Sequence, residues 1–207
     1  MSYRVYWKFT NIPEKIVDII DTELMNSYGG GMGDSRLIGD KVDPRIRNSK
    51  NVWVPHEHWS AGFVWHYINM INKENFLYDI DFIDHGAMQY TQYEKGQYYN
   101  WHYDETIEQA LYVGSNASKA GKERIDKELG LMGERPRKLS FVLQLSDPDD
   151  YEGGNLILVS DDGTETVAPR IKGTFTVFDS RTRHKACEVT KGTRRSLVGW
   201  ITGPRWR

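Results

Sequence analysis

From about residue 77 onward, apolar residues in this 207-residue chain recur at every second position, and turn residues interrupt the runs at short intervals. LYDIDFID (77–84), AMQYTQY (87–93), KLSFVLQLS (138–146), NLILVS (155–160), TETVAP (164–169), GTFTVFDS (173–180) and RRSLVGWIT (194–202) each read as a strand bounded by Gly, Asp, Pro or Ser. Strand side chains alternate between faces, so Leu139, Phe141, Leu143 and Leu145 share one face. Earlier in the chain the period is helical. After a short strand in YRVYWKF (3–9), Asn11 as N-cap and Pro13 in the first turn open a helix. It carries Ile16, Ile19, Ile20 and Leu24 on one face and ends at Gly29–Gly31. A second helix spans about 57–72, with Phe63, Tyr67, Ile68 and Ile71 on its buried stripe. Two helices followed by a succession of short strands argue against βαβ units. They predict a mainly β protein, a sandwich with flanking helices on one side.

One domain accommodates the whole chain, 1–207. Residues 1–76 supply a strand and supporting helices, 77–207 form the β core, and an insertion occupies about 112–136. That insertion, within SNASKAGKERIDKELGLMGERP, is charged and helix-compatible; a lid and a solvated surface excursion are both consistent with it. Hydrophobics at 39% and aromatics at 13% suit a packed globule, and a net charge of −2 gives no electrostatic case for nucleic acid or an anionic membrane. The single cysteine, Cys187, allows no intrachain disulfide and fits a reducing compartment. The N-terminus lacks the apolar region of a signal peptide, and no apolar run is long enough to span a bilayer. A soluble, cytoplasmic protein is expected, with oligomeric state open.

The stretch YEKGQYYNWHYD (93–104) places His102 and Asp104 two residues apart in an aromatic, β-prone run. If the run is extended, both side chains leave the same face. One His and one carboxylate are two thirds of the facial triad of non-haem Fe(II) oxygenases. The third ligand must be a His from another strand. His184 lies 184 − 102 = 82 residues downstream, just after GTFTVFDS. A bidentate 2-oxo acid bound opposite such a triad needs a cation for its far carboxylate. Arg194, ten residues past His184, offers a guanidinium, and if it points inward Arg195 points outward. An HxD pair alone arises often by chance; the pair with a downstream His and an Arg at this spacing is far more specific.

These residues resemble the Fe(II)- and 2-oxoglutarate-dependent dioxygenases of the prolyl 4-hydroxylase type, and among them the PKHD-type hydroxylases. YxxGxxYxxHxD is met by Tyr93, Gly96, Tyr99, His102 and Asp104. HxxxxVTxGxR is met by His184, Val189, Thr190, Gly192 and Arg194, with Trp200 following. RKLSFVLQLSDPDDYEGGNLIL (137–158) resembles the family's central strand, acidic turn and Gly-Gly pair, and RIRNSKNVWV (45–54) its R-x-S strand. The resemblance implies a double-stranded β-helix, or jelly roll. It implies Fe(II) on His102, Asp104 and His184, and the distal carboxylate of 2-oxoglutarate on Arg194. Tyr93 would reach the co-substrate, and Tyr99 and Trp200 would line the substrate side. The implied reaction couples decarboxylation of 2-oxoglutarate to succinate and CO2 with hydroxylation by O2, most simply of a prolyl residue in a peptide or protein, with ascorbate as a candidate reductant. Two departures stand out: Cys187–Glu188 replaces a residue followed by Pro, and the insertion does not map onto the family.

Other readings stay open at this point. The substrate could be a free amino acid or a small metabolite. A cupin-like metal enzyme would keep the ligands without needing Arg194, and a binding module could keep the fold without redox activity. GGGMGD (29–34) lacks the Lys and Ser/Thr of a phosphate loop and reads as a flexible connector, and DPDDYEGG (147–154) lacks the terminal Glu of a calcium loop and reads as a turn. HEHW (56–59) spaces two His residues off one helical face and reads as surface.

Overall fold

The structure is a computed structural model that describes residues 5–35, 43–105 and 135–204. The larger part of the 112–136 insertion, and the last residues of the C-terminal GPRWR, lie outside the described residues. In chain order the elements are β1 (Trp7–Asn11), α1 (Glu14–Tyr28), β2 (Gly33–Asp34), β3 (Arg47–Asn48), β4 (Lys50–Pro55) and α2 (Trp59–Ile71). There follow β5 (Phe82–Ile83), β6 (Ala87–Glu94), β7 (Tyr98–His102), β8 (Arg137–Gln144), β9 (Tyr151–Gly153) and β10 (Leu156–Val159). The last are β11 (Glu165–Val167), β12 (Thr174–Asp179), β13 (Arg183–Ala186) and β14 (Val189–Thr202).

The strands form two antiparallel sheets, the expected jelly roll. The larger runs β1-β12-β8-β14-β6-β4-β2, with β5 and β9 also on β14; the smaller runs β11-β10-β13-β7-β3. Strands β1 to β4, from the N-terminal part of the chain, extend both sheets. Both helices cover one face of the larger sheet. Val17, Ile20 and Leu24 of α1 and Val64, Ile68 and Ile71 of α2 form one core with Leu139, Phe141, Leu143, Phe175, Val177 and Leu197. The alternation read in β8 is therefore real: its odd-numbered residues meet the helices, and Val142 and Gln144 face the other sheet. At Gly199 of β14 a Cβ would sit 2.7 Å from the Phe141 ring, so the residue's smallness is what lets that ring pack.

Several expectations shift. Asn11 is the last residue of β1, and Pro13 stands at the helix N-cap with no side-chain cap. The buried phase of α1 is Val17, Ile20 and Leu24, which leaves Ile19 53% exposed. On α2 the fully buried stripe is Ser60, Ala61, Val64, Ile68 and Ile71, with Phe63 and Tyr67 only partly buried. His58 of HEHW is not plain surface: it caps α2, accepting from the Ser60 N–H. The strand read at 77–84 shrinks to Phe82–Ile83. Leu77 adopts a left-handed φ of 57°, and the Asn72 side chain bonds both backbone polar groups of Tyr78, so neither is free for a ladder. Among the described residues no helix is long and apolar enough to cross a membrane.

Candidate active site

β7 and β13 are neighbours in the smaller sheet, and His102 stands opposite His184 in their register. Their ring centroids are 4.1 Å apart. β7 ends at His102, so Asp104 is not on the strand as expected; its N–H donates to the Ser180 carbonyl at 3.1 Å, which holds it beside both rings. Asp104 Oδ1 lies 3.6 Å from His102 Nε2 and Oδ2 lies 3.4 Å from His184 Nε2. One donor atom from each of the three falls within 4.8 Å of the others.

The rings are locked in the tautomer a metal requires. His102 Nδ1–H donates to the Asn100 carbonyl at 2.7 Å and His184 Nδ1–H to the Thr182 carbonyl at 2.8 Å. Each Nε2 lone pair is thereby turned toward Asp104. Burial, and then His184, push His102 down to about 3, so its imidazole is neutral at physiological pH. Burial pushes Asp104 up, but the two imidazoles, Arg137 and a hydrogen bond from Ser140 outweigh it and hold the carboxyl below its usual range. Two imidazoles and one carboxylate converging from one side fit a ferrous dication. Tyr99 stacks on His102, with ring centroids 3.5 Å apart and planes 14° from parallel, and Phe178 packs edge-on against His184 at 4.7 Å. Both contacts restrict ring rotation.

These residues open onto a cavity between the sheets of about 470 Å³, counting its mouth. Arg194, 4% exposed, lines it from β14, directly across the ladder from Tyr93 of β6. Its Nε donates to Gln144 Oε1 at 3.1 Å, and its guanidinium lies 5.7 Å from the Tyr93 ring centroid. Gln144 in turn donates to the Tyr151 hydroxyl, and the Arg170 guanidinium braces the Tyr151 ring at 4.4 Å. Gly154, at φ 63°, backs this group: a Cβ there would come within 3.0 Å of Arg194 Cδ. Arg195 faces the helix layer as the alternation requires, ion-paired to Asp21 of α1 at 2.8 Å. Trp200 also lines the cavity, under the Arg137 guanidinium at 4.1 Å and beside Trp53, with ring centroids 6.3 Å apart.

Every site residue anticipated from the sequence thus meets at one cavity: His102, Asp104, His184, Arg194, Tyr93, Tyr99 and Trp200. Cys187 is half-buried and takes no place in the triad. Sequence reasoning missed Arg47, Gln89 and Gln144. Arg47 and Gln144 carried a signal only as members of the R-x-S and central-strand resemblances, and Gln89 carried none.

The family model for the 2OG-Fe(II) oxygenase superfamily matches residues 88–202. A PKHD-type hydroxylase of Maricaulis maris is 44% identical over 71 residues, 34% of this chain and 32% of its own length. One from Gloeothece citriformis is 30% identical over 115 residues, 56% of this chain and 42% of its own. The matched stretches therefore span less than half the length of these relatives. A Pseudomonas putida prolyl-4-hydroxylase superposes with a TM-score of 0.67 at 20% identity, covering 96% of this chain and 92% of that one. A Trichoplax adhaerens prolyl hydroxylase, solved with a peptide fragment of the hypoxia inducible factor oxygen degradation domain, gives 0.70 at 16% identity, covering 96% and 84%. At these identities the two structures share the jelly-roll fold with this chain.

Proposed function

This chain belongs to the 2OG-Fe(II) oxygenase superfamily, and on that premise we propose that it hydroxylates a prolyl residue of a peptide or protein. The observation that carries the proposal is the meeting of the His102–Asp104–His184 cluster and the buried Arg194 on one cavity. A cupin-like metal enzyme would have no use for that guanidinium. When bound, Fe(II) and 2-oxoglutarate supply the oxygen chemistry, in which the oxo acid is decarboxylated to succinate and CO2 as the substrate C–H becomes C–OH.

The chain's own contribution is placement and exclusion of water. His102 and His184 present Nε2 because their Nδ1–H groups are tied to backbone carbonyls. Arg194 would hold the distal carboxylate of 2-oxoglutarate through its terminal nitrogens, since Gln144 takes Nε. Tyr93, 5% exposed and next to Arg194, closes that end against water. Tyr99 and Trp200 wall the substrate side with rigid apolar surface. Ascorbate as reductant and a reducing, cytoplasmic setting belong to the same proposal, since ferrous iron persists there.

The test is succinate formation under air with Fe(II) and 2-oxoglutarate across proline-containing peptides, with mass detection of the added oxygen. Substrate-stimulated succinate matched by a hydroxylated prolyl product supports the reading. Hydroxylation confined to non-prolyl ligands would remove proline, and a protein that never makes succinate would remove the activity.

A further inference from the structure

Two buried guanidiniums face the cavity, and only one has been given a task. Arg47, on β3 of the smaller sheet, is 6% exposed and stands opposite Tyr99 in the β3–β7 ladder. It reaches across to the larger sheet. Its Nε donates to Ser49 Oγ at 2.9 Å and its Nη2 to Gln89 Oε1 at 3.1 Å, while the guanidinium lies 4.8 Å from the Tyr99 ring centroid. The arrangement repeats that of Arg194, which also has one glutamine acceptor and one tyrosine ring. Arg45, Arg137, Arg181 and Arg195 each hold a carboxylate. Among the described residues, Arg47, Arg170, Arg183 and Arg194 have none, and of these Arg47 and Arg194 line this cavity.

A buried cation left without an anion is costly, and proteins retain one where a ligand supplies the partner. The charged side chains lining the cavity are Arg47, Arg194 and Asp104. They sum to one excess positive charge. A ferrous dication and a 2-oxoglutarate dianion cancel, so the excess survives loading, and Arg194 is then engaged while Arg47 is not. A second donor points the same way. The Trp200 indole N–H, on a residue 7% exposed, is buried with no acceptor among the described residues, on the wall of this cavity. Arg47 also retains N–H groups beyond the two that are bonded. A site that offers surplus donors and one surplus positive charge is made for an anionic acceptor.

We infer that the substrate carries a carboxylate close to the hydroxylated carbon, received by Arg47 with Trp200 Nε1–H as an accessory donor. The inference rests on the hydroxylase reading above and narrows its substrate class. An acidic side chain beside the reacting residue and a terminal or free α-carboxylate offer the same chemistry. Arg47 precedes the stretch matched by the family model, which begins at residue 88.

The experiment is anaerobic calorimetric titration of matched ligands into protein loaded with Fe(II) and 2-oxoglutarate, so that Arg194 is occupied. Acetyl-Ala-Pro-Asp-amide is compared with its Asn counterpart, acetyl-Ala-Pro as the free acid with its amide, and free amino acids with their amides. At least one acid is expected to bind on the order of tenfold or more tighter than its neutral partner. The member of the panel that does so identifies the source of the carboxylate. Arg47→Gln should bring that ratio close to unity with Fe(II) binding and the thermal midpoint retained, and Arg47→Lys should restore part of it. Should Arg47→Gln fail to fold, the wild-type ratio and the Arg47→Lys variant still decide. Equal affinity of acid and amide in every pair, no binding by any acid, or a preference that survives in folded Arg47→Gln would overturn the inference; Arg47 would then simply bridge the two sheets. Tight acids that are never hydroxylated would instead count against the hydroxylase reading, and neutral prolyl peptides hydroxylated as well as acidic ones would sink only the carboxylate.

Discussion

Arg194→Ala is expected to raise the Michaelis constant for 2-oxoglutarate by roughly two to three orders of magnitude while Fe(II) binding survives. With Nε held by Gln144, Arg194 has its two terminal nitrogens left for a carboxylate. Two charge-assisted bonds at roughly 1.5–3 kcal/mol each give about 3–6 kcal/mol before relaxation. Water entering the vacated space and a reoriented Gln144 return part of this. Truncating one partner of a buried charge pair costs about 2–5 kcal/mol, and a middle value near 3.5 kcal/mol is a factor of a few hundred. The metal should be unaffected, because Arg194 is not part of the His102–Asp104–His184 cluster. The assay is succinate formation against 2-oxoglutarate concentration, with anaerobic Fe(II) titration of the same samples. Arg194→Lys keeps the charge without the paired donors and should fall between wild type and Arg194→Ala. An unchanged Michaelis constant, or loss of Fe(II) from a variant that is still folded, would refute the assignment.

Three further outcomes follow from the same contacts. Tyr99→Ala should weaken Fe(II) binding by about 10-fold or more, because the ring stacked on His102 fixes its orientation, whereas Tyr99→Phe should bind as wild type in the same titration. Gly154→Ala places a Cβ against Arg194 Cδ and Val189 at a left-handed φ; it should cost about 1–2 kcal/mol in denaturant unfolding and raise the Michaelis constant for 2-oxoglutarate. Asp179 is fully buried; burial pushes its carboxyl up, but hydrogen bonds from Arg181 and the Tyr78 hydroxyl outweigh that and leave it below its usual range. A carboxyl depressed on folding stabilises above its unfolded value, about 3.9, and the contribution fades as pH falls through the folded value. Asp179→Asn should therefore cost on the order of 3 kcal/mol at neutral pH, with the gap to wild type closing in urea melts below about pH 4.

Strand alternation made much of the site legible in advance. A period of two puts Arg194 in the cavity and Arg195 on the helix side, and the larger sheet obeys it along β14. His102 and His184 were readable because ligand chemistry restricts residue type, and the jelly roll closes an 82-residue separation into one ladder step. Arg47 was illegible as a site residue: its role depends on β3 pairing with β7 and on Gln89 waiting on the opposite sheet, which are long-range facts. The α1 phase failed for a local reason, since Ile16, Ile19 and Ile20 are all apolar and the packing chose Val17, Ile20 and Leu24. The 77–84 segment alternated well enough for a strand, but a side-chain amide took the backbone groups of Tyr78.

Anaerobic titration of Fe(II) in the presence of 2-oxoglutarate probes the metal cluster most directly, with wild type and His184→Ala side by side. Wild type should bind Fe(II) saturably and develop a visible charge-transfer band that requires both components, and folded His184→Ala should lose both signals. A folded His184→Ala protein that binds Fe(II) and shows the same band would contradict the assignment of His102, Asp104 and His184 as the iron ligands.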